Sequence, residues 1–237
     1  MTVNPTAASG FDSGAQAYER GRPSYPDDAI ARIAEVLRLA PGKRVLDLAA
    51  GTGKMTRLLA PLGVDLVAVE PVAGMRAAFA TAVPGVDVLD GTAEAIPLPD
   101  ASVDAVVVAQ AFHWFDQTKA LAEIDRVLKP GGGVALVWNR RDESVPWVAE
   151  MSRIIHWNRG LIPAYDGVEL DGFTKWTCGY VQSLTHDGLL DRVASVSYIA
   201  AMDDRERAGV LAQVSDLVRG MTEPIPLPYV TEVHSRT

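Results

Sequence analysis

The chain has one cysteine in 237 residues, Cys178. That excludes an internal disulfide and a structural metal held by a set of thiolates. Flanked by Trp176 and Tyr180 with no His or Asp motif beside it, Cys178 reads as a packed small apolar residue and not as a nucleophile. Long apolar runs are missing as well. No stretch approaches the ~20 residues that cross a bilayer, and Met1 to Gly10 shows neither the basic patch nor the apolar core of a secretory leader. A cytoplasmic protein without a membrane partner is expected. Positive charge is the third shortage: 22 Lys and Arg stand against 30 Asp and Glu, a formal net charge of -8. Phosphate-backbone binding relies on clustered cations, so nucleic acid is not an expected partner. A small-molecule substrate is expected, on a monomer or homodimer.

What is present is an ordinary globular composition, 48% hydrophobic and 22% charged, with no repeat or biased tract. Pro26 to Leu39 carries Ile30, Ile33, Val36 and Leu37 on one stripe, an amphipathic helix ended by Pro41-Gly42. Arg44 to Ala49 is a short apolar strand running into Ala50-Gly51-Thr52-Gly53, after which Lys54 to Ala60 is helical. The alternation continues: strand Asp65 to Glu70, helix Val72 to Ala82, strand Val86 to Asp90, strand Val103 to Ala109, helix Gln117 to Leu128 capped by Asp116, strand Gly132 to Trp138. Apolar β-branched strands alternating with helices predict a parallel sheet covered on both faces. Pro146 to Arg159 reads as helix. Gly160 to Thr185 loses periodicity, and with Tyr165, Phe173, Trp176 and Tyr180 it reads as a lid. Strand Val193 to Ala201, helix Asp203 to Arg219 and strand Leu227 to Val233 close the chain, the two strands pairing antiparallel. The expected fold is therefore α/β, a Rossmann-like three-layer sandwich on a seven-stranded, mostly parallel sheet. It forms one domain over 1–237, with an N-terminal cover (1–40), a cofactor core (41–140), a helix and lid (141–190) and the strand pair with its helix (191–237).

The glycine turn at the carboxyl end of the first strand lets a ligand approach the backbone. Glu70 lies 19 residues after Gly51, close to the offset of about 20 at which an acid meets an adenosine ribose. A pyrophosphate fingerprint asks for a third glycine where this chain has Thr56, which disfavours a dinucleotide. With Leu46-Asp-Leu-Ala-Ala-Gly-Thr-Gly53, Val69-Glu-Pro71, Asp90 to Pro99, Ala109-Gln-Ala-Phe-His-Trp-Phe115 and Val127-Leu-Lys-Pro-Gly-Gly132 in this order, the sequence resembles class I S-adenosylmethionine-dependent methyltransferases. The likeness is to the small-molecule group typified by ubiquinone/menaquinone-type and trans-aconitate methyltransferases, and it covers most of the chain.

The resemblance implies S-adenosylmethionine as cofactor and methyl transfer to an acceptor that the motifs do not identify. Asp47 and the backbone around Ala49 and Gly51 would hold the methionine end, and Glu70 the ribose. Pro71 and Met75 would border the adenine, Thr92 and Ala93 would meet its edge, and Gln110 would pass under the cofactor near its sulfonium. An N-terminal segment like Phe11 to Tyr25 would close the site, with Tyr18, Arg22 and Tyr25 over the cofactor and its carboxylate. The chain departs from its relatives at Ala49, where glycine is usual, and at Thr92, where an Asp is common.

Methyl transfer is an in-line displacement that asks for alignment and exclusion of water, with a base only where the acceptor has a proton to lose. His113 is the candidate catalytic residue, orienting the acceptor or taking its proton; the alternative is a backbone hydrogen bond beneath the cofactor. No metal is expected, since His156, His186 and His234 lack ligand spacing. Trp114 and Trp138, after the fourth and fifth strands, are candidates to line an apolar acceptor pocket. Arg140 and Arg141 either pair with a carboxylate on the acceptor or form a solvated turn balanced by Asp142 and Glu143, and the solvated turn is the leading reading. Two other functions share the early motifs: a non-catalytic adenosyl-cofactor-binding regulatory module and an NAD-dependent oxidoreductase.

Overall fold

The structure is a computed structural model and describes residues 21–156 and 170–237. After a Pro26 N-cap, Asp27 and Asp28 sit in the first turn of α1 (Asp27–Val36), where acids complement the helix dipole. Ala29, Ile30 and Ile33 form its buried face. There follow β1 (Arg44–Leu48), α2 (Lys54–Leu59), β2 (Asp65–Val69), α3 (Ala73–Ala82), β3 (Asp87–Leu89), β4 (Val103–Ala109), α4 (Gln117–Val127) and β5 (Leu128–Arg141). Asp116 caps α4 as expected, its side chain accepting the Lys119 N–H. The strands form one seven-stranded sheet in the order β3-β2-β1-β4-β5-β7-β6, completed by β6 (Thr174–Leu184) and β7 (Ile225–Arg236). Neighbours from β3 to β5 are parallel, while β7 runs antiparallel to both β5 and β6.

Side chains alternate across the sheet, and both faces are dry. On one face Leu46, Leu48, Val67, Val69, Val106, Val108 and Leu136 pack against Ala120, Ile124 and Val127 of α4. On the other, Val45, Ala105, Val107, Ala135 and Val137 meet Tyr25, α1, and Met55 and Leu59 of α2. Burying each such side chain contributes on the order of 1.5–3 kcal/mol, which is why the parallel strands read as unbroken apolar runs.

A third cluster is separate. It joins α5 (Pro146–His156), α6 (His186–Ala194), the short α7 (Ser197–Ala200) and α8 (Asp204–Val218) to Ile225, Leu227 and Tyr229 at the start of β7. Because β7 opposes β5 with Arg141 across from Tyr229, this end of β7 lies at the carboxyl end of the parallel strands. The cluster is thus a helical cap over the end of the sheet where α/β folds bind ligands.

Two expectations for the late chain are corrected. Val193 to Ala201, expected as a strand, is helical: Leu189, Val193, Val196 and Ile199 are buried at helical spacing, and the Thr185 side chain caps α6 by accepting the Gly188 N–H. The strand that pairs with the last one is Thr174–Leu184, inside the segment expected as an irregular lid. Trp176, Cys178, Tyr180, Gln182 and Leu184 alternate inward along it, an unbroken period of two with Gly179 on the outward face. Tyr165 and Trp157 lie outside the described residues. No described helix is long and apolar enough to cross a membrane.

Gly53 is where the glycine turn meets the core. Its φ is +80°, and a Cβ there would come within 2.4 Å of Val83 Cγ2 and 2.8 Å of Phe79 Cδ2. Gly53→Ala is expected to lower unfolding free energy by roughly 2–4 kcal/mol, overpacking added to left-handed strain. Urea denaturation measures this, and an unchanged midpoint would show that the turn shifts freely.

Candidate active site

The site is built from the loops that leave the carboxyl ends of β1, β2 and β4. After β1 the backbone turns through left-handed conformations at Ala49 (φ 59°), Gly51 (φ 59°) and Gly53 (φ 80°). At Ala49 this strain falls on a residue with a side chain, which costs on the order of 1 kcal/mol relative to glycine. Two carboxylates hold the turn. Asp47 is almost fully buried and accepts the Thr56 hydroxyl on Oδ2. Glu70, 5% exposed, accepts the Gly51 N–H on Oε2 and the Val72 N–H on Oε1, both at 2.9 Å. The turn and the acid at the end of β2 are therefore joined by a direct hydrogen bond. Arg76 steadies the second half: it donates to the Glu70 carbonyl and bidentately to Asp90, joining the ends of β2 and β3.

Burial raises both acids. The Asp47 carboxyl is pushed up to about 6, its desolvation outweighing the hydrogen bonds from Thr56, with Glu70 adding repulsion. Glu70 is raised as well, again chiefly by desolvation, against the Val72 and Gly51 donors and the Arg76 charge.

The loop after β3 is fixed by Arg126, which donates to the Ile96 and Leu98 carbonyls, and by Glu123, which accepts the Ile96 N–H. Thr92 sits at the start of this loop. The Ala93 side chain is buried in the core, so a contact with a ligand falls to its backbone. Met75 is buried and Pro71 half-buried at the mouth of α3.

After β4, Gln110 is also left-handed (φ 56°), and its side-chain amide donates to the Asn139 carbonyl. Asn139 in turn donates to the Ser24 carbonyl and accepts the Thr231 hydroxyl, which fastens the incoming N-terminal segment to the sheet. A one-turn 3-10 helix, Phe112–Trp114, follows. It holds Phe112 in the core and places His113 partly buried, 4.8 Å from the Trp114 ring. The His113 imidazole is pushed down to about 4, first by desolvation and then by the Arg22 charge. Arg22 reaches the other way to the Ser195 carbonyl of the cap, while Lys54 holds the Arg22 carbonyl.

Several candidates are reassigned by their surroundings. Trp138 is a core residue, edge-on to Phe112 and His234. Tyr25 packs in the core with α1 and with Met55 of α2. Tyr18 lies outside the described residues. Neither arginine is in a turn balanced by Asp142 and Glu143: Arg140 lies on β5, 3.8 Å from Glu232 of β7, and its neighbour Arg141 points into the cap and donates to Ser152. Burial raises the Cys178 thiol, and the residue packs against the core as expected.

A model of a methyltransferase domain matches residues 46–136. Over 236 residues the chain is 45% identical to an uncharacterised methyltransferase of Mycobacterium tuberculosis (strain ATCC 25618 / H37Rv), covering 93% of this chain and 92% of the relative. The chain belongs to the class I S-adenosylmethionine-dependent methyltransferases. A demethylmenaquinone methyltransferase of Renibacterium salmoninarum is 40% identical over 101 residues, 42% of this chain and 43% of that protein. Among solved structures, a putative type II methyltransferase from Anaeromyxobacter dehalogenans superposes with a TM-score of 0.70 at 25% identity, covering 91% and 97% of the two chains.

The residues of this methyltransferase fit an adenosyl cofactor. Asp47 Oδ1 and Thr92 Oγ1 are buried acceptors without a hydrogen-bond partner among the described residues. On its Cβ side Gly51 has no atom within 4 Å, so the turn faces open space. Since the Asp47 carboxyl is raised to about 6 and an ammonium group prefers the ionised form, affinity for S-adenosylhomocysteine is expected to rise as pH increases from 5 through about 7. In Asp47→Asn the affinity should be lower and this pH dependence gone. Isothermal titration across the range measures both, and a flat wild-type profile would remove Asp47 from the amine site.

Proposed function

We propose that this methyltransferase moves the methyl group of S-adenosylmethionine to a small-molecule acceptor bound between the β4 loop and the helical cap. The observation that carries the reading is the Glu70 carboxylate tied to the glycine turn. Each of its oxygens takes one backbone N–H and retains a lone pair for a ribose hydroxyl. When bound, the cofactor supplies an electrophilic methyl group on a sulfonium.

The protein supplies placement. Asp47 and the Gly51 turn hold the amino-acid end, Pro71, Met75, Thr92 and the Ala93 backbone the adenine, and Gln110, locked by Asn139, the floor near the reacting centre. Arg22 covers the site from the N-terminal side, its charge acting on His113. His113 serves as a neutral imidazole that hydrogen-bonds the acceptor. With a pKa near 4 it binds protons too weakly to be an efficient base at neutral pH. Aligning the acceptor and excluding water supply the rate enhancement.

Calorimetric titration with S-adenosylmethionine, S-adenosylhomocysteine and NAD tests the cofactor. Micromolar binding of the two sulfur compounds, weakened at least about tenfold in Glu70→Ala, is expected from the loss of charge-assisted hydrogen bonds. Binding of NAD alone, or of nothing, would overturn the reading. For His113, the imidazole signals followed by NMR should titrate near pH 4, and Arg22→Gln should move them upward. The sign for stability follows: the unfolded imidazole, at 6.5, binds its proton first, so His113 costs the fold stability as pH falls from 6.5 toward 4.

A further inference from the structure

One buried guanidinium donor of the cap has no hydrogen-bond partner among the described residues. Arg192 on α6 is 6% exposed. Its Nε donates to the Tyr229 hydroxyl at 2.9 Å, and its guanidinium carbon lies 5.9 Å from the centre of that ring. Its Nη1 is buried with no hydrogen-bond partner among the described residues, and no carboxylate there pairs with it. Arg141 enters from the end of β5, opposite Tyr229 in register, with its Nε on Ser152. The two guanidinium groups are close enough to repel, and desolvation together with the Arg192 charge depresses Arg141. Tyr198 of α7 faces the same place: its phenol is raised by burial and held back by the charges of Arg141, Arg192 and Arg22.

A buried guanidinium with an unused donor is costly unless a partner of opposite charge completes it. Here cations from β5, α6 and the segment before α1 converge on the Tyr198 phenol of α7, at the carboxyl end of the sheet. Arg22 joins this group to His113, since its charge acts on both His113 and Tyr198. Planar guanidinium forks beside phenols suit a carboxylate or a phosphate, each of which accepts paired hydrogen bonds.

We propose that Arg192, Arg141 and Tyr198 form the anion-binding end of the acceptor pocket, so that the molecule methylated carries a carboxylate or phosphate held by these side chains. The proposal rests on the methyltransferase reading for the word acceptor, and on the cap alone for the anion site. Arg141 ends β5, two strands from β1, and Arg192 is held on Tyr229 of β7, three strands from β1, so the anion they take is distinct from the carboxylate of the cofactor.

The test is calorimetric titration of the protein, alone and saturated with S-adenosylhomocysteine. The probes are benzoate, glutarate and phenyl phosphate, each against its neutral counterpart benzamide, glutaramide or phenol. Saturable binding of the anions and not of the neutral compounds is expected, and the tighter of the carboxylates and phenyl phosphate names the group. In Arg192→Gln the anion affinity should fall at least about tenfold while S-adenosylhomocysteine affinity stays within twofold. Arg192→Lys, which keeps a point charge but not the fork, should recover part of the loss and guards against misfolding of the glutamine variant. Equal binding of neutral and anionic probes, an unchanged Arg192→Gln, or a variant that loses S-adenosylhomocysteine instead would each overturn the anion site. If the wild type binds anions but not S-adenosylhomocysteine, the methyltransferase reading fails and the anion site stands; the reverse pattern sinks the anion site alone.

Discussion

The backbone turn between β1 and α2 is the constraint on which the site depends. It passes through left-handed conformations at Ala49, Gly51 and Gly53 within five residues, and only Gly51 and Gly53 suit that geometry without strain. The turn is held from below by Asp47 through Thr56, and from the side by Glu70 through the Gly51 N–H. Both carboxylates are buried to do this, and the desolvation that raises their pKa values is the energetic counterpart of a turn whose backbone is free to face a ligand. Gly53 lets the turn lie on Phe79 and Val83, so α3 is packed against the same few residues.

From that turn the molecule divides into halves of different chemistry. The half made by β1 to β4 presents acids, left-handed glycines and unpaired acceptors, a surface suited to hydroxyl, amine and amide donors. The half made by the end of β5, β7 and the cap helices presents guanidinium groups and phenols. His113 and Arg22 lie between the two. The Arg22 side chain reaches Ser195 in the cap, while its carbonyl is held by Lys54 beside the turn. One short segment thus couples the placement of the β1 turn to that of the cap.

Much of this was legible in the chain itself. Each parallel strand is a continuous apolar run because both faces of the sheet are covered, and each helix between them repeats its apolar residues at helical spacing. The turn and Glu70 were readable from the glycines and from the spacing that joins them, now a direct Gly51–Glu70 hydrogen bond, whereas Gln110 was pointed to by the resemblance alone. The late chain was misread. In Thr174–Leu184 the alternation carries Gln182 on the inward face and the apolar Val181 on the outward one, because the strand lies at the sheet edge and buries only half its surface. Around Val193 to Ile199, small and polar residues between the apolar ones obscured a helical period that the cap makes plain.

The sequence by itself determined the parallel core, the strained turn and the acid that holds it, since these follow from local spacing and from the conformations single residues tolerate. The tertiary structure alone decided which of two adjacent arginines matters. Arg140 and Arg141 are neighbours in sequence with the same local charges around them, but consecutive side chains of a strand point to opposite faces. Arg140 is thereby turned to Glu232 and Arg141 into the cap beside Arg192, a residue 51 positions later that no local pattern connects to it.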